Sequence, residues 1–391
     1  MKIRKLHIKN YKVFDDLELD FTDANGDTLD KIVLAGVNGC GKTTILEIIK
    51  KMYDGSIFED FKKNKGSSIE LEVELSELER DSSMGKRLFE LKVFNEQQLT
   101  SSILLNSRNG STFSTYLKLG DSELLYMPVN FIKSTLPNEL NYNRNIQIIH
   151  LSTSKDRMKE LALRSIRDEI FKNEDMPPRQ SKEKAIKQIT KVLTGMNLTT
   201  KLVDLESEEL IFESVNGQKI KFEDLSNGEQ TLYFRAIYLS KLNPQNSIIM
   251  IDEPEDSLHP TWQQKVLKLY QNIGENNQLI VATHSPHIIG SSNAEEVFLL
   301  EIDENQVEAV HPKYTKGHSI DYILEVMGAN PRDTTVISTV EAYLALIRKG
   351  QHQTEKGLKL KTEIDALNLD PNSEEMRRLD LSLKRYKAVQ V

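Results

Sequence analysis

The stretch Gly36-Val-Asn-Gly39-Cys-Gly41-Lys42-Thr43 follows the pattern G-x-x-x-x-G-K-[ST] between an apolar run and a helical one. That is the context a phosphate-binding loop requires. Glycines let backbone N–H groups converge on phosphate oxygens, and the helix N-terminus adds positive potential. The predicted cradle is Asn38, Gly39, Cys40, Gly41, Lys42, Thr43 and Thr44, with Lys42 reaching the β and γ oxygens and Thr43 offering its hydroxyl to magnesium. Cys40 is read as loop filler, not as a nucleophile. Two carboxylates, Asp252 and Glu253, close a second apolar run, Ser247-Ile-Ile-Met-Ile. Open α/β sheets gather ligands at such strand ends. Asp252 suits the magnesium shell, and Glu253 suits the polarisation of a water for in-line attack on a γ-phosphate. A third element, Leu225-Ser-Asn-Gly-Glu-Gln230, opens an apolar-periodic helix with Ser226 and Gly228 at its exposed, positive end. In isolation Ser226-Asn-Gly-Glu229 is also an ordinary helix cap.

These residues need a scaffold. The run 31–35 is apolar after its opening Lys31, as is the centre of Gln278-Leu-Ile-Val-Ala-Thr-His284, and both read as strands covered on two faces. A helix over about 260–271, with proline in its first turn, joins the acidic strand to the one ending at His284. A parallel α/β core follows. Alternation at Ile3, Leu6 and Ile8 and at Leu17, Leu19 and Phe21 predicts a hairpin of edge strands about residues 10–16. Period-two runs at 68–75, 87–94 and 113–126 predict an antiparallel subdomain inside a β-rich insert over 55–145. Residues 146–151 read as one more buried strand. Helical spacing at 156–173 and 181–196 predicts a helical lobe over 155–200. From 313 to 391 the pattern is helical and polar.

Composition narrows the class. Apolar residues make up 38% and charged residues 28%, with no run of the roughly 18 apolar residues a bilayer span needs. The first twenty residues alternate apolar and charged side chains, unlike a secretory signal. Cys40 is the single cysteine, which excludes an internal disulfide and suits a reducing compartment, so cytoplasm is the expected location. The net charge of −8 argues against a surface built throughout for a nucleic-acid backbone. Lys155 to Lys191, with 11 basic and 7 acidic residues, is the exception. It is either a solvated helix face or a DNA-facing one.

The four motifs in this order resemble the ABC ATPases, and in particular the head domains of the SMC, RecF and OLD group. The resemblance runs from Lys5-Leu-His-Ile-Lys-Asn-Tyr-Lys-Val-Phe14 through the phosphate loop, the signature 225–230 and the acidic pair to Thr283-His284-Ser285. It covers most of 1–312, the expected head. It implies an α/β fold with a mixed sheet around the phosphate-loop core, ATP and Mg2+ as ligands, and a homodimer or higher oligomer. Within that dimer, Ser226, Gly228 and Glu229 of one copy cap the ATP held by the other. By the same resemblance Asp256 falls at the D-loop, and His284 is the switch histidine at the γ-phosphate. Lys42, Glu253 and His284 are thus the catalytic set. The Q-loop glutamine has no secure place, although Gln147 lies in about the right region. Ser226 lies 184 residues beyond Lys42, a longer separation than in transporter subunits, and there is no heptad tract for SMC arms.

Ser257-Leu-His-Pro-Thr-Trp-Gln263 is similar to bacterial stand-alone ATPases related to the OLD group, several of which serve anti-phage defence beside a nuclease or toxin. This implies a switch that controls a companion effector, such as an HNH or Toprim nuclease. The tail lacks the Asp-x-Asp of a Toprim domain, so the chain is not expected to cut DNA itself. His259 and Trp262 read as packing residues. The alternative function is a RecF-like repair ATPase that binds DNA directly.

Overall fold

The computed structural model describes residues 2–54, 67–74, 94–95, 100–106, 124–127, 146–148, 155–171, 176–206, 209–304, 306–329, 334–371 and 373–389. These form two compact units, 1–319 and 320–391. In the first, strands β1 (Lys2–Tyr11), β2 (Phe14–Asp20) and β3 (Lys31–Gly36) precede helix α1 (Lys42–Asp54). Then come β4 (Ser68–Glu74), β5 (Phe94–Asn95), β6 (Thr100–Asn106), β7 (Leu124–Met127) and β8 (Ile146–Ile148). Helices α2 (Lys155–Phe171) and α3 (Pro178–Val192) lead to β9 (Thr200–Glu206), β10 (Glu209–Ser214) and β11 (Lys219–Lys221). The chain continues through α4 (Asn227–Leu242), β12 (Ile248–Asp252), α5 (Pro260–Gln271), β13 (Gln278–Thr283), α6 (Pro286–Ile289), β14 (Val297–Asp303) and β15 (Gln306–Val310).

A seven-stranded sheet in the order β15-β14-β3-β13-β12-β7-β8 carries the site strands. It is parallel from β14 to β8, with β15 antiparallel at one edge. β3, β12 and β13 lie side by side at its centre with nearly every residue buried, as their unbroken apolar runs require. Their C-terminal ends therefore emerge together. A second sheet, β2-β1-β4-β6-β5, is antiparallel. β1 and β2 form the expected hairpin, but β1 is not an edge strand, since β4 pairs along its other side. Its alternation puts Ile3, Leu6, Ile8 and Tyr11 into the core. There they join Ile45, Leu46, Ile48, Ile49 and Met52 of α1 and Ile32 and Leu34 of β3. Each such side chain contributes roughly 1.5–3 kcal/mol by leaving water, so α1 and the loop before it sit on a firm base.

The runs 87–94 and 113–126 fall largely outside the described residues. The helical lobe is present, with α2 and α3 packed on α4. It continues into a three-stranded antiparallel sheet, β11-β10-β9, which the sequence reading did not contain. Basic side chains of the lobe are engaged by acids: Lys159 with Glu209 and Glu223, Lys182 with Asp204, and Arg179 with Glu183. In the second unit, α7 (Ile320–Val326), α8 (Thr334–Arg348), α9 (Glu355–Ala366) and α10 (Glu374–Val389) follow, with a core of Val340, Tyr343, Leu344, Ile347, Ile364 and Leu379.

Candidate active site

The phosphate loop leaves β3 and enters α1 within six residues. Gly41 has φ +98°, and a Cβ there would lie 2.4 Å from the Phe14 ring, so the hairpin turn presses on a spot only glycine fills. Cys40 is fully buried and turned into the core, where burial pushes its thiol up. Its amide closes the loop onto the Val37 carbonyl, and Val37, Asn38 and Gly39 are exposed. Lys42 is buried. Its Nζ donates to the carbonyls of Gly36 (2.8 Å) and Val37 (3.1 Å), and among the described residues no carboxylate pairs with it. A buried ammonium held only by loop carbonyls fits a phosphate, which would supply the missing counter-charge. The Thr43 hydroxyl donates to both Asp252 oxygens, at 2.9 and 3.2 Å, so the two groups predicted for magnesium meet across the sheet. An oxygen-only pair of this kind suits a hard cation. Burial pushes the Asp252 carboxyl upward. Thr44 lies beside them, partly buried.

Glu253 stands at φ +49°, an uncommon conformation for a residue with a side chain, held by its amide on the Ala282 carbonyl (2.8 Å). Burial, then the neighbouring Glu255 carboxylate, raises its carboxyl to about 8. The exposed His284 sets Nδ1 against the Glu253 carboxylate and 3.7 Å from Glu255. Asp256 is exposed, its amide bonded to the Glu253 carbonyl at 3.1 Å.

One signature residue differs from expectation. Gly228 is buried, not exposed, because the Trp262 ring lies over it; an added Cβ would meet that ring at 2.7 Å and the Ser257 carbonyl at 3.0 Å. Trp262 thus packs, as its sequence position suggested, while His259 caps α5. Glu229 also points inward, its carboxylate accepting the hydroxyls of Thr199 (2.8 Å), Thr200 (2.9 Å) and Ser226 (3.0 Å). Ser226 caps α4 and is exposed beside Asn227. Among the described residues, no hydrogen bond or ion pair joins Ser226 or Gly228 to the Lys42 loop. Gln147 lies on β8.

Two buried polar residues, Glu255 and Arg235, and the partly buried Gln263 were missed. Glu255 accepts the Thr283 hydroxyl and the His284 amide. Arg235 of α4 donates to the Pro254 carbonyl (2.6 Å) and the Tyr270 hydroxyl (2.8 Å), tying the signature helix to the acidic turn. Gln263 accepts the Ser285 hydroxyl at 2.7 Å. Their partners are distant in sequence, and only Glu255, two residues from Glu253, had a positional signal.

A glycine-rich loop with a buried lysine, its threonine on a strand-end aspartate and an acid–histidine pair on the adjacent strands define a P-loop nucleotide-binding core on an ABC-type α/β head. The chain belongs to the AAA_21 family, described as "AAA domain, putative AbiEii toxin, Type IV TA system", whose sequence profile matches residues 31–290. It is 27% identical over 162 residues to "Retron Vc95 probable ATPase" of Vibrio cholerae serotype O1 biovar El Tor, spanning 37% of this chain and 32% of that protein. It is 26% identical over 328 residues to "Septu protein PtuA" of Bacillus mycoides (strain KBAB4), spanning 78% of this chain and 41% of that one. The match thus spans well under half of either relative. The SMC head domain from Thermotoga maritima superposes with a TM-score of 0.47 at 13% identity, over 80% of this chain and 100% of that one. A score at that level assigns no function.

Proposed function

We propose that the chain binds and hydrolyses ATP as a switch: two copies close on ATP, hydrolysis reopens them, and the closed state controls a companion effector, a nuclease or toxin, in bacterial anti-phage defence. The observation that carries the nucleotide reading is the buried Lys42 ammonium, held by two carbonyls beside the Thr43–Asp252 contact. Lys42 exchanges those carbonyls for β- and γ-phosphate oxygens. Thr43 and Asp252 hold magnesium, which when bound offsets charge on the phosphates. Glu253 takes a proton from the attacking water as the oxygen–phosphorus bond forms and the bond to the β–γ bridging oxygen breaks, leaving ADP and phosphate. His284 and Asp256 face the γ-phosphate side. Ser226, exposed at the start of α4, caps the nucleotide of the second copy, and Gly228 keeps the helix start flat beneath Trp262.

The retron and Septu relatives support the defence setting, and cytoplasm suits both partners. The DNA-repair reading rests on the basic segment 155–191, where Lys159, Arg179 and Lys182 have acidic partners. Turnover of ATP by wild type, Lys42→Ala and Glu253→Gln tests the proposal. Lys42→Ala should fail to bind nucleotide, and Glu253→Gln should bind ATP yet turn over at least about tenfold slower, since a positioned base contributes about 10²–10⁴ in rate. Unchanged turnover in Glu253→Gln would remove it as the base.

A further inference from the structure

Glu255 is more deeply buried than Glu253 and pairs with no lysine or arginine among the described residues. Its carboxyl lies against that of Glu253, and one oxygen, Oε1, makes the contacts to the end of β13. It accepts the Thr283 hydroxyl at 2.5 Å and the His284 backbone N–H at 3.1 Å, and lies 3.7 Å from His284 Nδ1. The Thr283 oxygen in turn accepts the Ser285 N–H at 2.9 Å. Three consecutive residues at the end of β13 are therefore fixed, directly or through one hydroxyl, by a side chain from the turn after β12.

That turn is itself under constraint. Glu253 holds a positive φ, a conformation that persists only where its surroundings impose it. The Asp256 amide closes the turn on the Glu253 carbonyl, and Arg235 grips the Pro254 carbonyl. Burying a second carboxylate beside Glu253 is unfavourable for folding, and a neutral side chain of the same shape would avoid that penalty. The placement is explained by what it joins: Glu253 and His284 follow the ends of adjacent strands, and among the described residues no other side-chain hydrogen bond links their backbones.

We propose that Glu255 is a positioning residue for hydrolysis, fixing His284 and the Glu253 turn to one another through the Thr283 hydroxyl and the His284 amide. The inference rests on the reading of Glu253 as base and of His284 as a γ-phosphate contact. The geometry requires reach, not charge: an acceptor oxygen must arrive at the end of a three-carbon side chain.

Glu255→Gln keeps an oxygen at that place without the charge, whereas Glu255→Asp keeps the charge and withdraws the oxygen by one carbon. Steady-state ATP hydrolysis and direct ATP titration on both variants, with Glu255→Ala, His284→Ala, their double and Glu253→Gln, make the test. Glu255→Gln should retain most of the wild-type kcat. Glu255→Asp and Glu255→Ala should lose about tenfold to a hundredfold in kcat, the range for displaced catalytic groups, with ATP affinity changed less than about threefold. The double variant should be no slower than His284→Ala alone, since groups acting as one unit are not additive. Asp outperforming Gln, losses that multiply in the double, or a defect confined to melting temperature and ATP affinity would overturn the positioning role. Wild-type turnover in both Glu253→Gln and His284→Ala would instead overturn the reading beneath it, whatever the Glu255 variants do. Should Glu255→Ala not fold, the Gln and Asp variants still decide.

Discussion

The Glu253 carboxyl, raised from an ordinary 4.5 to about 8, makes a prediction about stability that needs no turnover assay. Between those values the folded nucleotide-free chain keeps a proton that the unfolded chain has released. Stability therefore falls as pH rises: the favourable contribution is whole below 4.5 and gone once pH passes through 8. At about 1.4 kcal/mol per pH unit for one proton, the full window sets a ceiling of about 5 kcal/mol. Part of that shift comes from the Glu255 carboxylate beside it, and the Glu253 side chain is 19% exposed. Solvent at the turn brings the expected figure to about 1–2 kcal/mol, or about 2–4 °C in melting temperature for a unit of this size. Glu253→Gln never ionises. Scanning calorimetry without nucleotide should find the variant melting with wild type at pH 5 and about 2–4 °C above it at pH 9. A difference that is the same at both pH values, or a wild type that gains on the variant as pH rises, would refute the reasoning.

Gly228→Ala, placed against the Trp262 ring and the Ser257 carbonyl, should lower stability by about 1–3 kcal/mol, and Trp262→Leu in the same chain should recover part of it by melting temperature. Ser226→Arg should leave ATP binding to the monomer intact, by titration, while preventing ATP-driven association in sedimentation; equal association would sink the capping role. Binding of duplex DNA by the isolated protein should be weak and nearly flat with salt, because the net charge is −8 and Lys159 and Lys182 of the lobe are held by acids; a steep loss of affinity with rising salt would revive the repair reading.

What the sequence made legible was what rests on local spacing. Glycines at 36, 39 and 41 before Lys42, unbroken apolar runs before Asp252 and His284, and proline opening α5 each encode a backbone state by themselves. The sheet then brings their ends together. What stayed hidden depends on distant partners. The partner of Glu255 is the hydroxyl of Thr283, 28 residues on, and Glu-Pro-Glu alone reads as a turn. Gly228 looked exposed because a cap motif says nothing about a tryptophan on another helix, and the inward turn of Glu229 gave no signal because its hydroxyl partners Thr199 and Thr200 lie 30 and 29 residues upstream. β1 looked like an edge because β4 arrives only after the phosphate loop and α1. Strands β9 to β11 alternate with charged side chains on an exposed face, a weak signal beside the helices before them.

The central claim is that ATP closes two copies on a site each completes for the other. Light scattering of Glu253→Gln with magnesium, with and without ATP, tests it most directly. The account predicts a mass that doubles or rises to a higher even multiple with ATP and returns when ATP is removed, and no such change in Glu253→Gln carrying Lys42→Ala. A mass that stays the same while ATP is bound would contradict it.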